Sequence, residues 1–406
     1  MPIRLLKISG YRSLRSLWVD LEPVNVIVGP NGNGKTNLYR AVWLLAAAAR
    51  GDLGRAIADE GGMNSVLWAG PRRQGPVRLG IGVRLEDYRY DLECGLPRPS
   101  QDPATRYFRL DPEVKRERVR AESGSARALL VERADTVTWV RDADGRRTRY
   151  PLPLLRSESV LSQVMDPERY PELFVLRREF LEWRFYHHFR TDSEAPARQP
   201  RVATYTPVLA HDGHDLVSAL ATIEGHRRED LGDALQAVFP DGTLAFGLDS
   251  TGCLRMGVSV PSLKRPLQMR ELSDGTLRYL CLVAALLSPR PAPLLAFNEP
   301  ESSLNPDLIE PLANLIVAAS RSSQLWITTH SERLASLLAE RTGCRPLRVA
   351  LENGATILPG RKLVPDDDDE LEPDGDDGGG EVDADADPGF RISRDGDWDG
   401  ASSSAC

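Results

Sequence analysis

No stretch of about 18 consecutive apolar residues occurs in this 406-residue chain, so no membrane-spanning helix is expected. The run Ala41 to Ala49 is too short for that and carries a helical pattern. The opening Met1-Pro2-Ile3-Arg4 lacks the apolar core and cleavage site of a secretory leader. Cysteine is scarce: Cys94, Cys253, Cys281, Cys344 and Cys406 are scattered, odd in number and without CxxC spacing. That excludes a disulfide framework and a cysteine-based zinc site, and points to the reducing cytoplasm. His187-His188 has no further metal-type ligands nearby in sequence, so no metal cluster is expected there. No repeat of 20–50 residues and no sustained heptad appear, which removes solenoids and long coiled coils.

A basic excess is also missing at first sight, with a net charge of -8. The charge is unevenly placed. Residues 365–406 hold 16 acidic residues and 2 arginines, a net of -14. Removing them from the totals of 51 basic and 59 acidic leaves 49 against 43, or +6 for the body. A mildly basic body is compatible with nucleic acid without requiring it. The tail alternates Asp with Ala and Gly and has little to bury, so disorder is expected from 365 onward. It acts either as a solubilising extension or as a mimic of nucleic acid that occupies its own body.

Residues 3–8 and 17–28 read as strands, the second ending in Val24-Asn25-Val26-Ile27-Val28. A helix opens at Thr36 and ends near Gly51, followed by a Gly-rich irregular stretch to 75. Alternation from Val77 to Leu96 predicts a hairpin, with more strands in 107–119 and 128–150. Residues 157–189 read as helical; their basic and aromatic run from Arg177 to Arg190 is either a packed amphipathic helix or a DNA-contacting one. A helix pair (214–239), a strand pair (243–260), a helix (272–287), a strand (293–297), a helix (308–320), a strand (324–328) and a helix (331–341) follow, then a final strand pair, 347–349 with 355–358. The fold class expected is α/β.

Chemistry concentrates in four places. Gly29-Pro30-Asn31-Gly32-Asn33-Gly34-Lys35-Thr36 fits the pattern G-x-x-x-x-G-K-[ST] between an apolar strand and a helix. Such a loop turns backbone N–H groups toward phosphate oxygens, its Lys reaches the β- and γ-phosphates, and its Thr hydroxyl binds Mg²⁺. Leu272-Ser273-Asp274-Gly275-Thr276 precedes a helix about 20 residues before the strand Leu294–Phe297. Asn298-Glu299-Pro300-Glu301 ends that strand, and Glu299 is placed to orient a water for attack on a phosphate. His330 follows the strand 324–328 and could sense the γ-phosphate or hold that water.

Taken in this order, P-loop, signature, Walker B, D-loop (Ser303 to Asp307) and histidine, the chain resembles ABC-type ATPases of the SMC/RecF/OLD group. It looks most similar to bacterial AAA-family ATPases whose Walker B ends in Asn-Glu-Pro-Glu. The opening Ile8-Ser9-Gly10-Tyr11-Arg12-Ser13-Leu14 looks like that of RecF-like proteins. The resemblance covers about residues 1–100 and 200–360. It implies a P-loop head with a mixed sheet and helices, binding ATP and Mg²⁺ between two copies of the chain. One copy would supply Asn31, Gly32, Asn33, Gly34, Lys35, Thr36, Asn37 and Arg12; the other, Ser273 and Gly275. Thr36 and Asn298 would serve the metal, and Glu299 and His330 would hydrolyse.

More than 250 residues separate Thr36 from Asn298, which leaves room for an inserted α+β lobe. The expected domains are a head portion at 1–100, the lobe at 101–200, the second head portion at 201–364 and the tail at 365–406. Only about 20 residues lie between the last predicted helix and the tail, so no Toprim nuclease is expected. Two residues depart from the pattern. Asn298 replaces an Asp and loses its charge, which predicts slow turnover or a stronger dependence on Mg²⁺. Asp274 replaces a glycine and adds a negative charge near the partner's phosphates. Gln74 and Gln101 are the candidates for the Q-loop position. The function expected is that of a nucleotide-gated dimer in DNA-related work or phage defence. The alternative is an ATP-sensing module that hydrolyses slowly and controls a separate effector.

Overall fold

The computed structural model describes residues 1–71, 77–98, 107–122, 128–134, 136–142 and 144–359. The acidic tail and both glutamine candidates, Gln74 and Gln101, lie outside the described residues.

The chain opens with an antiparallel pair, β1 (Leu5–Tyr11) and β2 (Leu14–Asp20), and then β3 (Val24–Val28) enters a different sheet. The single strand expected over 17–28 is therefore two. Pro23 has no N–H to offer a ladder. Around it Asn25 closes a turn, with Nδ2 donating to the Glu22 carbonyl (2.6 Å) and Oδ1 accepting from the Glu22 N–H (2.9 Å). All five residues of β3 are buried.

Helix α1 (Lys35–Arg50) follows the glycine-rich loop, and α2 (Leu53–Asp59) and α3 (Met63–Val66) replace the irregular stretch expected there. Leu53, Ala56, Ile57, Met63 and Val66 supply their apolar contacts. Six strands come next: β4 (Leu79–Arg84), β5 (Tyr88–Gly95), β6 (Glu113–Ala121), β7 (Leu129–Ala134), β8 (Val137–Arg141) and β9 (Arg147–Arg149). They extend the first pair into an eight-stranded sheet in the order β2-β1-β4-β5-β6-β7-β8-β9. The strands expected within 101–200 thus continue the sheet begun at the N-terminus.

Residues 157–189, expected as helical, divide into α4 (Val160–Gln163), α5 (Pro171–Glu182) and a strand, β10 (Arg184–Tyr186). The basic and aromatic run is therefore not one helix. Helical periodicity gives way because Phe185 and Tyr186 complete a sheet edge, pairing in parallel with β15 (Leu294–Asn298). Ahead of that strand come β11 (Arg201–Val202), α6 (Leu216–His226), α7 (Arg228–Gln236), β12 (Thr243–Leu248), β13 (Cys253–Ser259), β14 (Leu267–Gln268) and α8 (Asp274–Leu286). After it come α9 (Ile309–Ala319), β16 (Gln324–Thr329), α10 (Glu332–Thr342), β17 (Leu347–Arg348), β18 (Ala350–Glu352) and β19 (Ala355–Ile357). The expected final pair is redistributed: β17 joins β3, and β18 forms a hairpin with β19.

The second sheet is parallel throughout, in the order β10-β15-β16-β3-β17. Its side chains alternate between two cores. Ile27, Leu294, Ala296 and Trp326 pack with α1 and the eight-stranded sheet. Val24, Val26, Val28, Leu295, Phe297, Leu325 and Ile327 pack with α6 to α10. A parallel sheet covered on both faces must be apolar on both, which is why β3, β15 and β16 read as continuous apolar runs. The run Ala46 to Ala49 is fully buried; small side chains let α1 sit between two sheets. The parallel strands all end at one edge, where ligands of such sheets bind.

Candidate functional site

The loop after β3 is held open by its glycines. Gly34 caps α1 with φ +89° and supplies no side chain to the first helical N–H groups. Those groups have no partner within the helix and are left for an anion. A Cβ at Gly34 would collide with the Thr356 hydroxyl of β19. That hydroxyl donates to the Asn33 carbonyl (3.0 Å) and pairs with Ser13 Oγ (2.7 Å). Ser13 Oγ accepts from Asn37 Nδ2 (2.8 Å), and Asn33 Nδ2 donates to the Val349 carbonyl (3.3 Å). The phosphate loop is thus braced from behind by the first hairpin and the last.

Lys35 is 4 % exposed, and its ammonium donates to the loop carbonyls of Gly29 and Pro30. Burial holds its pKa below the usual lysine value, while Glu299 and Glu301 oppose that shift. Both carboxylates come from the end of β15. Glu299 takes a left-handed conformation (φ +47°), its N–H donating to the Thr328 carbonyl of β16 (2.8 Å). Glu301 is buried; its Oε1 accepts from the Thr329 hydroxyl and from the His330 N–H (3.1 Å). His330 Nδ1 lies 3.3 Å from Glu301 Oε1 and 3.9 Å from Glu299 Oε2. The histidine is therefore nearer Glu301. Asn298 Oδ1 accepts from the Thr328 hydroxyl (2.7 Å), so the carboxamide is oriented by β16.

These residues fit a magnesium nucleotide. An ammonium faces two carboxylates, uncapped helical N–H groups start α1, and Glu301 Oε2 is buried with no hydrogen-bond partner. Among the described residues no cluster of His, Cys, Asp and Glu could hold a metal by itself. A metal here would need the nucleotide's own oxygens, as Mg²⁺ commonly does.

A family model described as "AAA domain, putative AbiEii toxin, Type IV TA system" matches residues 24–336. The chain belongs to that family. This ATPase is also 26 % identical over 239 residues to the DNA replication and repair protein RecF of Beutenbergia cavernae. The match covers 59 % of the present chain and 56 % of that protein, so it spans little more than half of the relative. Family and relative together make the chain an ABC-type P-loop ATPase of the SMC/RecF-like group. Among solved structures it is similar to an Smc head bound to the C-winged helix domain of ScpA, with TM-score 0.49, 14 % identity, 88 % of this chain and 97 % of that one. The SMC head domain from Thermotoga maritima gives TM-score 0.40 and 15 % identity over 89 % of this chain and 100 % of that one.

The remaining expected residues of the ATPase sit as follows. Ser273 caps α8, accepting from the Thr276 N–H (3.2 Å), and is exposed. Gly275 approaches the D-loop so closely that a Cβ would lie 2.8 Å from the Ser303 carbonyl. Arg12 is held away from a free role: its guanidinium pairs with Glu60 (2.7 Å), which Arg40 also approaches (3.3 Å) and to which the Tyr11 hydroxyl donates (2.7 Å). The unusual Asp274 is compensated by Arg198, whose Nη2 donates to it (2.9 Å) while Nη1 donates to the carbonyls of Met269 (2.7 Å) and Leu272 (3.0 Å).

Sequence reasoning gave no role to Glu301, Arg198, Arg278, Thr328 or Thr356. Only Glu301 left a signal, as the second acid of Asn-Glu-Pro-Glu. No helix among the described residues is long and apolar enough to cross a membrane.

Proposed function

We propose that the chain is a Mg²⁺-dependent ATP hydrolase that closes into a homodimer around two nucleotides. One observation carries the reading: Lys35, Glu299, Glu301 and His330 converge at one edge of the parallel sheet, while the exposed Ser273 that caps α8 stands ready for a second copy. The N–H groups from Gly34 to Thr36 and the Lys35 ammonium hold the β- and γ-phosphates, with Asn31 to Asn37 forming the cradle. Thr36 and Asn298 are the residues that would hold Mg²⁺, which would supply charge neutralisation at the phosphates. Glu299 accepts a proton of the attacking water and orients it in line. His330, backed by Glu301, shares in fixing that water or the γ-phosphate. Arg12 reaches the nucleotide only by exchanging Glu60 for phosphate.

The likeness to a DNA replication and repair protein supports DNA-related work, and the family's toxin–antitoxin description supports a defence task; a separate effector protein would then carry the outcome. A second reading, a slow ATP-sensing module that recruits this effector, is favoured by the missing charge at Asn298. Steady-state phosphate release, with and without DNA, and mass measurement with ATP test both readings. Glu299→Gln is expected to lower turnover at least about a hundredfold and to leave an ATP-stabilised dimer. Turnover unaffected by Glu299→Gln refutes the site. A persistent ATP-bound dimer in the native chain, with negligible phosphate release, selects the second reading.

A further inference from the structure

Arg278 sits on the second turn of α8, five residues after the capping Ser273. It is 5 % exposed, a rare place for a guanidinium. No carboxylate lies within ion-pairing distance of it among the described residues. Instead Nη2 donates to the backbone carbonyl of Glu299 (2.9 Å), and Nη1 lies 3.3 Å from His188 Nδ1. A guanidinium only donates, so in this contact His188 Nδ1 can only be the acceptor. His188 follows β10, the parallel neighbour of β15. One side chain therefore joins the signature helix, the end of the Walker B strand and the end of the adjoining strand.

Glu299 has reason to need such a clamp. A φ of +47° is uncommon for a residue with a side chain and persists where surrounding contacts hold it. Three hydrogen bonds to its backbone do so. The Glu299 N–H is fixed by Thr328 of the same sheet, and its carbonyl accepts from Arg278 of α8 (2.9 Å) and from the Ser302 N–H of its own turn (3.1 Å). The first fastens the peptide entering Glu299 to the sheet, and the second fastens the peptide leaving it to the signature helix. Together with the Ser302 bond they fix the peptide planes on either side of Glu299, and the Ser302 hydroxyl reaches its Oε2 (3.5 Å). Burial works against the charge on Arg278 while Glu301 and Glu299 support it. Retaining a buried charge for a carbonyl is costly unless the placement is useful.

We propose that Arg278 is a positioning residue, holding Glu299 from the signature helix in the conformation that aligns its carboxylate for hydrolysis. This rests on the reading of Glu299 as the hydrolytic carboxylate. Arg278 touches no reacting atom; it acts through the Glu299 backbone. Loss of the clamp should therefore lower kcat and leave nucleotide binding intact.

The test uses the full chain and Mg²⁺-ATP, with Arg278→Gln, Arg278→Lys, His188→Gln and Glu299→Gln made in parallel. Arg278→Gln is expected to lower kcat about tenfold or more, the scale of a misplaced catalytic group, with KM and the affinity for a fluorescent ATP analogue within about threefold. Arg278→Lys keeps one donor for the carbonyl and should recover part of kcat. His188→Gln keeps an acceptor for Nη1 and should stay within about twofold. Turnover retained by Glu299→Gln removes the underlying reading, whatever Arg278 does. A Glu299→Gln enzyme that is inactive beside an Arg278→Gln enzyme of native kcat overturns the inference alone, as does a rise in KM with kcat kept. Circular dichroism and thermal unfolding report folding. Should Arg278→Gln unfold, Arg278→Lys decides: a lowered kcat at native KM supports the clamp, and a native kcat overturns it.

Discussion

Replacing Thr356 by valine tests whether the last hairpin braces the phosphate loop. The swap keeps shape and removes one hydroxyl at a site 2 % exposed. That hydroxyl donates to the Asn33 carbonyl (3.0 Å) and pairs with Ser13 Oγ (2.7 Å). The Thr356 N–H bond to the Ser13 carbonyl (2.8 Å) survives, so β19 stays in place. Each lost hydrogen bond is worth about 0.5–1.5 kcal/mol net, giving about 1–3 kcal/mol for the two. Asn33 and Ser13 are partly exposed, so water recovers some of this and the lower end is expected. If half reaches the loop, ATP affinity falls about twofold to tenfold, with the lower end expected, since 1.4 kcal/mol is a factor of ten. Titration with a fluorescent ATP analogue measures the affinity, and denaturant unfolding measures the stability. Native affinity together with a stability loss would refute the bracing of the loop and leave Thr356 as ordinary packing. Native values of both would refute the hydrogen-bond assignment itself.

Two further predictions concern charge. Asn298→Asp restores a carboxylate that can still accept from the Thr328 hydroxyl, which now donates at 2.7 Å; it should lower the Mg²⁺ concentration for half-maximal turnover and raise kcat several-fold, by phosphate release across a Mg²⁺ series. An unchanged Mg²⁺ dependence would mean that Asn298 does not serve the metal. Arg133→Leu strikes the buried cluster under β6, where Arg133 is 1 % exposed, approaches Glu117 at 3.9 Å and donates to the carbonyls of Glu158 (2.6 Å) and Leu155 (2.8 Å). Breaking such a pair costs about 3–5 kcal/mol in urea unfolding near neutral pH. Burial already pushes the Glu117 carboxyl above its ordinary value, and Arg133 pulls it down. Removing Arg133 raises it further. A raised acid stabilises below its unfolded pKa and loses that contribution as pH rises through the folded one. The Arg133→Leu deficit should therefore shrink toward acid; a deficit that grows in acid contradicts the assignment.

The site was legible wherever its chemistry lies in consecutive residues. Gly29 to Thr36, Ser273 to Gly275 and Asn298 to Glu301 each carry their reason locally: a backbone that must turn, a cap that must accept, a strand that must end in acid. β3, β15 and β16 were legible because a sheet covered on both faces is apolar at every position. β10 was not. Its three residues, Arg184–Tyr186, continue a helical apolar pattern, and only the free edge of β15 makes them a strand.

The sequence by itself therefore determined that this chain has a nucleotide loop, a signature and an acidic strand end, in ABC order. Tertiary structure alone decided what supports them. Ser13 and Thr356 meet across 343 positions, Arg198 and Asp274 across 76, and Arg278 and His188 across 90. Such partners leave no periodic trace, because an arginine or a threonine reads the same in solvent and in a buried contact. The charge at Asp274 is a burden on the signature in sequence alone, and Arg198 offsets it in the fold. The same folding that hides Arg278 brings it to Glu299, because α8 and β15 pack in one core around Leu277, Tyr279, Leu295 and Phe297.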